Sequence, residues 1–127
     1  MAIHDAHPDI VHVVPEGVVY RKDETAELMN RGALAPMRSP WQVLVLEDAD
    51  RLNDTAANAL LKAIEEPNPQ TVWVLCAPTT EDVLPTIRSR CRHITLVTPT
   101  VADVAATLVA RDKVDPAMAA FAARAAQ

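Results

Sequence analysis

The sequence predicts an α/β fold built on a parallel sheet, and three stretches carry that prediction. Residues 42–46, QVLVL, form an almost unbroken Val/Leu run, which suits a strand covered on both faces better than a strand with one wet face. Residues 53–66 place Ala57, Leu60, Leu61 and Ile64 on the stripe of an amphipathic helix. Residues 71–76, TVWVLC, form a second apolar run. A strand, a helix and a second strand in that order make the crossover unit of parallel sheets.

The remaining elements follow from local chemistry. Residues 7–14, HPDIVHVV, hold the β-branched Ile10, Val11, Val13 and Val14 and read as a strand. Pro15-Glu16-Gly17 then turns the chain. Lys22 to Gly32 predicts a helix with Asp23 as N-cap, Glu24 near its positive end and Gly32 as its stop. Leu28 and Met29 face the core in that reading, and Ala33 to Pro40 is a loop. The central helix, Asn53 to Glu66, takes Asn53 as N-cap and Asp54 in its first turn, and Pro67 and Pro69 end it. Lys62 can reach Glu65 or Glu66, a pairing worth roughly 0.3 kcal/mol.

Beyond the second apolar run, Pro78, Thr79 and Thr80 make a turn. Thr80 is expected to cap a short helix beginning at Glu81 and Asp82, and Pro85 suits the first position of another short turn. Arg88, Arg90 and Arg92 follow at alternate positions, and Ile94 to Val97 reads as a further short strand. Thr100 with Asp103 forms a capping box ahead of Val101, Val104, Ala105, Leu108 and Val109, which repeat with helical spacing. Asp115-Pro116 starts a last helix with Met118, Phe121, Ala122 and Ala125 on one face. Pro99 marks the expected boundary between an α/β core, residues 1–98, and a helical piece, residues 99–127.

Composition narrows the function. With 127 residues, half of them apolar, the chain can bury a core, and its net charge of −5 argues against a surface devoted to nucleic acid. Gly17 and Gly32 are the only glycines, too few for a loop that cradles phosphate on backbone amides, and no G-x-x-x-x-G-K-[ST] is present. Cys76 and Cys91 form no C-x-x-C pair, which argues against zinc and redox motifs. His4, His7 and His12 fall near Asp5 and Asp9, but no metal-ligand spacing fits, so no metal site is expected. The N-terminus lacks the pattern of a signal peptide, and no apolar run reaches the roughly 18 residues of a membrane helix. A cytoplasmic protein with free thiols is the expectation.

Asp48-Ala49-Asp50-Arg51-Leu52 is followed by Asn58-Ala59-Leu60-Leu61-Lys62, by Glu65-Glu66-Pro67, and then by Ser89-Arg90-Cys91. Together these motifs resemble the clamp-loader branch of AAA+ proteins, and within it the delta-prime subunits of bacterial DNA polymerase III. His7-Pro8-Asp9 resembles that family's approach to its second strand, so the likeness runs from about His7 to Gln127. It implies an internal or truncated fragment of such a subunit, with a partial AAA+ P-loop-type sheet and flanking helices followed by the start of a helical lid domain.

The resemblance also assigns roles. Glu47 and Asp48 fall at the Walker B position, where a working motor has Asp then Glu; the order is reversed here, so the geometry for orienting water is wrong by about one methylene. Pro78 falls where a polar residue would sense the terminal phosphate, and proline has no side-chain donor. Arg90 falls at the arginine that reaches ATP on an adjacent subunit, where a guanidinium can be worth about 10³-fold or more. Ser89, Cys91, Asn58, Lys62, Glu65 and Glu66 support these motifs. Arg88 and Arg92 are left as supporting or DNA-facing charges.

The implied function is a non-motor subunit of the replicative clamp loader, with no ATPase of its own. It binds no cofactor, and ATP and Mg²⁺ sit on the partner. The implied partners are the gamma/tau motor subunits and delta, with the sliding clamp and primed DNA reached through the complex. The alternatives are a fragment of an active loader ATPase and a remnant or interaction module without activity. The family's first strand, with its phosphate loop, is absent from the sequence. It belongs between the strands at Thr71 and Ile94, so that edge is expected to be unpaired, rearranged or supplied by another chain.

Overall fold

The computed structural model describes residues 2–126, with side chains from His7 onward. The chain forms two compact units, one ending at His93 and the other beginning at Ile94.

The first unit is built on four strands in the spatial order β1-β2-β3-β4: β1 (Ala2–His7), β2 (Ile10–Val14), β3 (Gln42–Leu46) and β4 (Thr71–Leu75). β2, β3 and β4 are parallel, as the strand–helix–strand pattern predicts. β1 is not expected from the sequence pattern. The chain reverses at Pro8-Asp9, and β1 runs antiparallel to β2 with an irregularity between His4 and His7. Among the described residues this unit holds three α-helices: α1 (Lys22–Gly32), α2 (Asp54–Glu65) and the one-turn α3 (Pro85–Arg88).

Strand register decides which side of the sheet is covered. Val11 lies beside Leu44 and Val13 beside Leu46, with Trp73 and Leu75 next in line on the same face. These pack with Leu28 of α1, Ala57 and Leu60 of α2 and Ile87 of α3 into one core. The opposite face carries Ile10, Val43, Val45, Val72 and Val74, and there Ile10, Val72 and Val74 are 44%, 42% and 38% exposed. The expectation that β3 and β4 are buried on both faces is therefore wrong. A valine run satisfies a half-covered face as readily as a covered one, because β propensity does not read what lies above it.

Local caps also depart from expectation in two places. At α1, Glu24 folds back so that its Oε2 accepts the Arg21 N–H at 2.6 Å, and Arg21 rather than Asp23 is the capping position. The short helix expected to start at Glu81 is a single 3₁₀ turn, Thr80–Asp82, preceded by Thr79. Gly32 is the last residue of α1 rather than the residue beyond it. A Cβ there would lie 2.6 Å from the indole of Trp73, so this glycine serves close helix–strand packing. Asn53 caps α2 as predicted, its Oδ1 accepting the Ala56 N–H at 2.8 Å.

Ile94 to Val97 forms no strand; Ile94, Leu96 and Val97 are 80%, 88% and 88% exposed. The strand expected there is thus a correction; the edge expected to be unpaired, rearranged or supplied by another chain has no described strand beside β4. An extended run gains ladder hydrogen bonds only where a neighbour offers them. The second unit contains α4 (Val101–Asp112) and α5 (Pro116–Ala125), packed against each other. The capping box forms: Thr100 Oγ1 accepts the Asp103 N–H at 3.1 Å, and Asp103 Oδ2 accepts the Thr100 N–H at 3.2 Å. Asp115 accepts from Ala117 and Met118 at the start of α5.

Candidate functional site

Two groups of side chains answer to the sequence expectations, and the fold keeps them apart. The first lies beyond the carboxyl ends of β3 and β4. Glu47, Asp48, Cys76, Ala77 and Pro78 line a shallow groove of about 190 Å³. Open parallel sheets bind ligands at this end, so the two acids and Pro78 do come together where expected. Asp48 adopts a left-handed conformation, φ 50°, which Asp tolerates better than most residues. It opens the 3₁₀ turn Ala49–Arg51 that leads into α2.

Neighbours already engage both carboxylates. Glu47 follows Val45 on the open face of the sheet, diagonal to His12 of β2, and His12 Nε2 lies 2.6 Å from Glu47 Oε1. Arg51 Nε lies 3.5 Å from Asp48 Oδ2. Tyr20 fixes the backbone beneath them: its buried hydroxyl donates to the Glu47 carbonyl at 2.6 Å, and its amide donates to the Arg51 carbonyl at 3.1 Å. Burial pushes the Tyr20 phenol well up, and the charges of Asp48, Glu24 and Glu47 add to that. Mg²⁺ wants near-octahedral oxygen ligands. One carboxylate held by imidazole, one by guanidinium and a proline at the groove wall fit it poorly.

His12 and Tyr20 are the residues that sequence reasoning misses here. Spacing along the chain groups His12 only with His4, His7, Asp5 and Asp9, as a metal set. The side chains of His4 and Asp5 lie outside the described residues. His7 Nδ1 accepts the Asp9 N–H at 3.2 Å, and the Asp9 carboxylate accepts the amides of Met37, Arg38 and Ser39. Those amides, Met37 foremost, hold Asp9 below its ordinary value. Among the described residues no cluster of three or more His, Cys, Asp or Glu is arranged for a metal ion. A Tyr flanked by Val19 and Arg21 carries no local signal for the contact it makes 27 residues away.

The second group is at the other end of α2. Arg90 Nε donates to Glu65 Oε1, and Arg90 Nη1 donates to the Thr86 carbonyl at 2.7 Å and to Ser89 Oγ at 3.2 Å. The loop that presents it is anchored on both sides. Ile87 is fully buried, and half-buried Cys91 packs on the core, its thiol pushed up by that burial. The Arg90 side chain itself stays 37% exposed. Asn58, Lys62, Glu65 and Glu66 are all exposed on α2 and its C-cap. Glu65 takes Arg90 rather than Lys62, and among the described residues Lys62 has no carboxylate partner. The amino end of α2 follows the Glu47–Asp48 turn and its 12 residues span about 18 Å, so Glu65, which Arg90 contacts, lies at the end of the helix away from those two acids. Arg88 Nη1 reaches the Thr80 carbonyl at 3.5 Å.

A family model described as DNA polymerase III, delta subunit, matches residues 2–100. The chain belongs to that family. Among curated proteins, the delta' subunit of DNA polymerase III from Escherichia coli (strain K12) is 37% identical over 99 residues, covering 73% of this chain and 28% of that protein. The gamma/tau subunit of Mycobacterium tuberculosis (strain H37Rv) is 39% identical over 71 residues, covering 56% of this chain and 12% of its own length. A solved structure of a DNA polymerase III gamma subunit-related protein from Thermotoga maritima superposes with TM-score 0.71 at 26% identity, over 91% of this chain and 42% of that one. This member of the delta-subunit family therefore spans a minor part of the length of these relatives. No described helix is long and apolar enough to cross a membrane.

Proposed function

We propose that this chain acts within a non-motor subunit of the replicative clamp loader and offers Arg90 to ATP held by an adjacent motor subunit. One observation carries the reading. Arg90 sits on a loop pinned by Ile87 and Cys91, exposed, and against Glu65 at the carboxyl end of α2, the helix whose amino end follows Glu47 and Asp48. An arginine so placed stands toward the far end of α2 from its own groove and is held firmly enough to serve a phosphate next door. There it supplies fixed donors and positive charge as charge develops on the transferring phosphoryl group.

The groove supports the non-motor half of the reading. Glu47 and Asp48 are engaged by His12 and Arg51, and Pro78 offers no donor. ATP and Mg²⁺ belong on the gamma/tau-type partner. With delta in the same assembly, the complex opens and loads a sliding clamp onto primed DNA in the cytoplasm.

The test is the ATPase of the native subunit reconstituted with its motor subunits and delta. Arg90→Ala is expected to lower clamp- and DNA-stimulated kcat by about 10³-fold at the site it serves while assembly on gel filtration is unchanged. Full turnover in that variant rejects the assignment. The 39% identity to a gamma/tau subunit favours a second reading, in which the chain is part of a motor subunit. Nucleotide binding by the isolated native protein, lost when Glu47 and Asp48 are both neutralised, would decide for it.

A further inference from the structure

The geometry points to Glu65 as a positioning residue for Arg90, holding its guanidinium at Nε so that Nη2 faces an external anion. This inference rests on the proposed role of Arg90.

A free arginine on the surface carries about 2 kcal/mol of rotamer entropy, and a finger that must find its phosphate loses part of its benefit to that freedom. Here Nε is taken by Glu65, and Nη1 by the Thr86 carbonyl and Ser89 Oγ. The third nitrogen, Nη2, has no partner among the described residues. Three acceptors fix the plane of the guanidinium, and Nη2, which makes no hydrogen bond among the described residues, keeps the N–H that points away from Glu65 for an external anion. Two of the acceptors come from α3 and the residue that follows it. Only Glu65 reaches in from another element, so it alone ties the direction of Arg90 to the axis of α2.

The placement of Glu65 fits this use. It is the last residue of α2, where unpaired carbonyls already favour a cation. Its side chain is 43% exposed, so the pair adds little to folding. A carboxylate this exposed makes a contact that an incoming phosphate can reshape without a large desolvation loss. Lys62, one turn back, has no carboxylate partner among the described residues and does not draw Glu65 away.

The experiment is a double-mutant cycle in the reconstituted loader, with kcat and KM for ATP measured separately. Glu65→Ala is expected to lower kcat about 10-fold, with KM and assembly unchanged, since a displaced catalytic group can lose up to about 10²-fold. Glu65→Asp is expected to fall between Glu65→Ala and wild type. In an Arg90→Ala background, Glu65→Ala is expected to add nothing. If Arg90→Ala lowers turnover but Glu65→Ala does not, or raises it, the positioning role is overturned and the role of Arg90 stands. Equal losses from Glu65→Ala with and without Arg90 also overturn it, because Glu65 would then act independently. If neither substitution matters, the role of Arg90 falls and this inference falls with it.

Discussion

Asp9 shows how much one buried side chain can organise. It ends the reversal between β1 and β2, is almost completely buried, and collects the amides of Met37, Arg38 and Ser39. A carboxylate can accept three N–H groups where a carboxamide must turn a donor toward one of them. Those amides lower the pKa of Asp9 in the folded chain, so its contribution is complete above the ordinary carboxylate value, near pH 4. It is lost as pH falls from there through the lower folded value. Asp9→Asn is expected to lower the urea midpoint at pH 7, and the gap from wild type should close as pH is taken from about 5 toward about 2. A gap that is constant with pH would show that the amide cluster does not depend on the Asp9 charge. Arg90 and Glu65 belong to the same scale but differ from Asp9 in being substantially exposed, so in the role proposed for them direction counts rather than burial.

Among the elements, α2 is the member that the others lean on. Ala57 and Leu60 are fully buried in the core beside β3, and the exposed side of the helix carries Asn58, Lys62 and Glu65. Its amino end is set by Asn53, whose carboxamide oxygen satisfies the Ala56 amide. Asn53→Ala is expected to cost about 1 kcal/mol, read as a shift in denaturant midpoint at constant slope. An unchanged midpoint would show that the turn Ala49–Arg51 alone fixes where α2 begins. Apolar spacing and the capping residues make α2, α4 and α5 legible in the sequence. The same signals misplace the cap of α1, because Asp23 and Glu24 are adjacent acids and only the path of the chain through Glu16 and Arg21 selects Glu24.

Across the whole molecule, an apolar sheet face and a sheet edge lie open. β4 pairs with β3 on one side, and no described strand pairs with its other side. Val72 and Val74 on this strand, Ile10 on the same face, and Ile94, Leu96 and Val97 farther along the chain are all exposed. Exposed apolar patches and unprotected strand edges drive association. The 127-residue chain is therefore expected to self-associate with concentration in sedimentation experiments. Val72→Lys with Val74→Lys should shift it toward monomer with little loss of secondary structure. Monomeric behaviour of the unaltered chain at high concentration would contradict the open face.

The α/β class, the parallel β3–α2–β4 unit, the caps of α2, α4 and α5, and the family are all written in the order of the amino acids, because they rest on local spacing and on contiguous motifs. The meeting of Glu47, Asp48 and Pro78 is written there too, since strand ends and the groove beyond them follow from topology. Folding in three dimensions was needed to settle which sheet face is covered, that Ile94 to Val97 stays unpaired, that β1 adds to the edge beside β2, and that His12 and Arg51 occupy the acids above Tyr20. The same holds for the meeting of Glu65 and Arg90 across 25 residues. These are contacts between segments distant in the chain, and no local propensity encodes which of several equally suitable partners the folded backbone brings within reach.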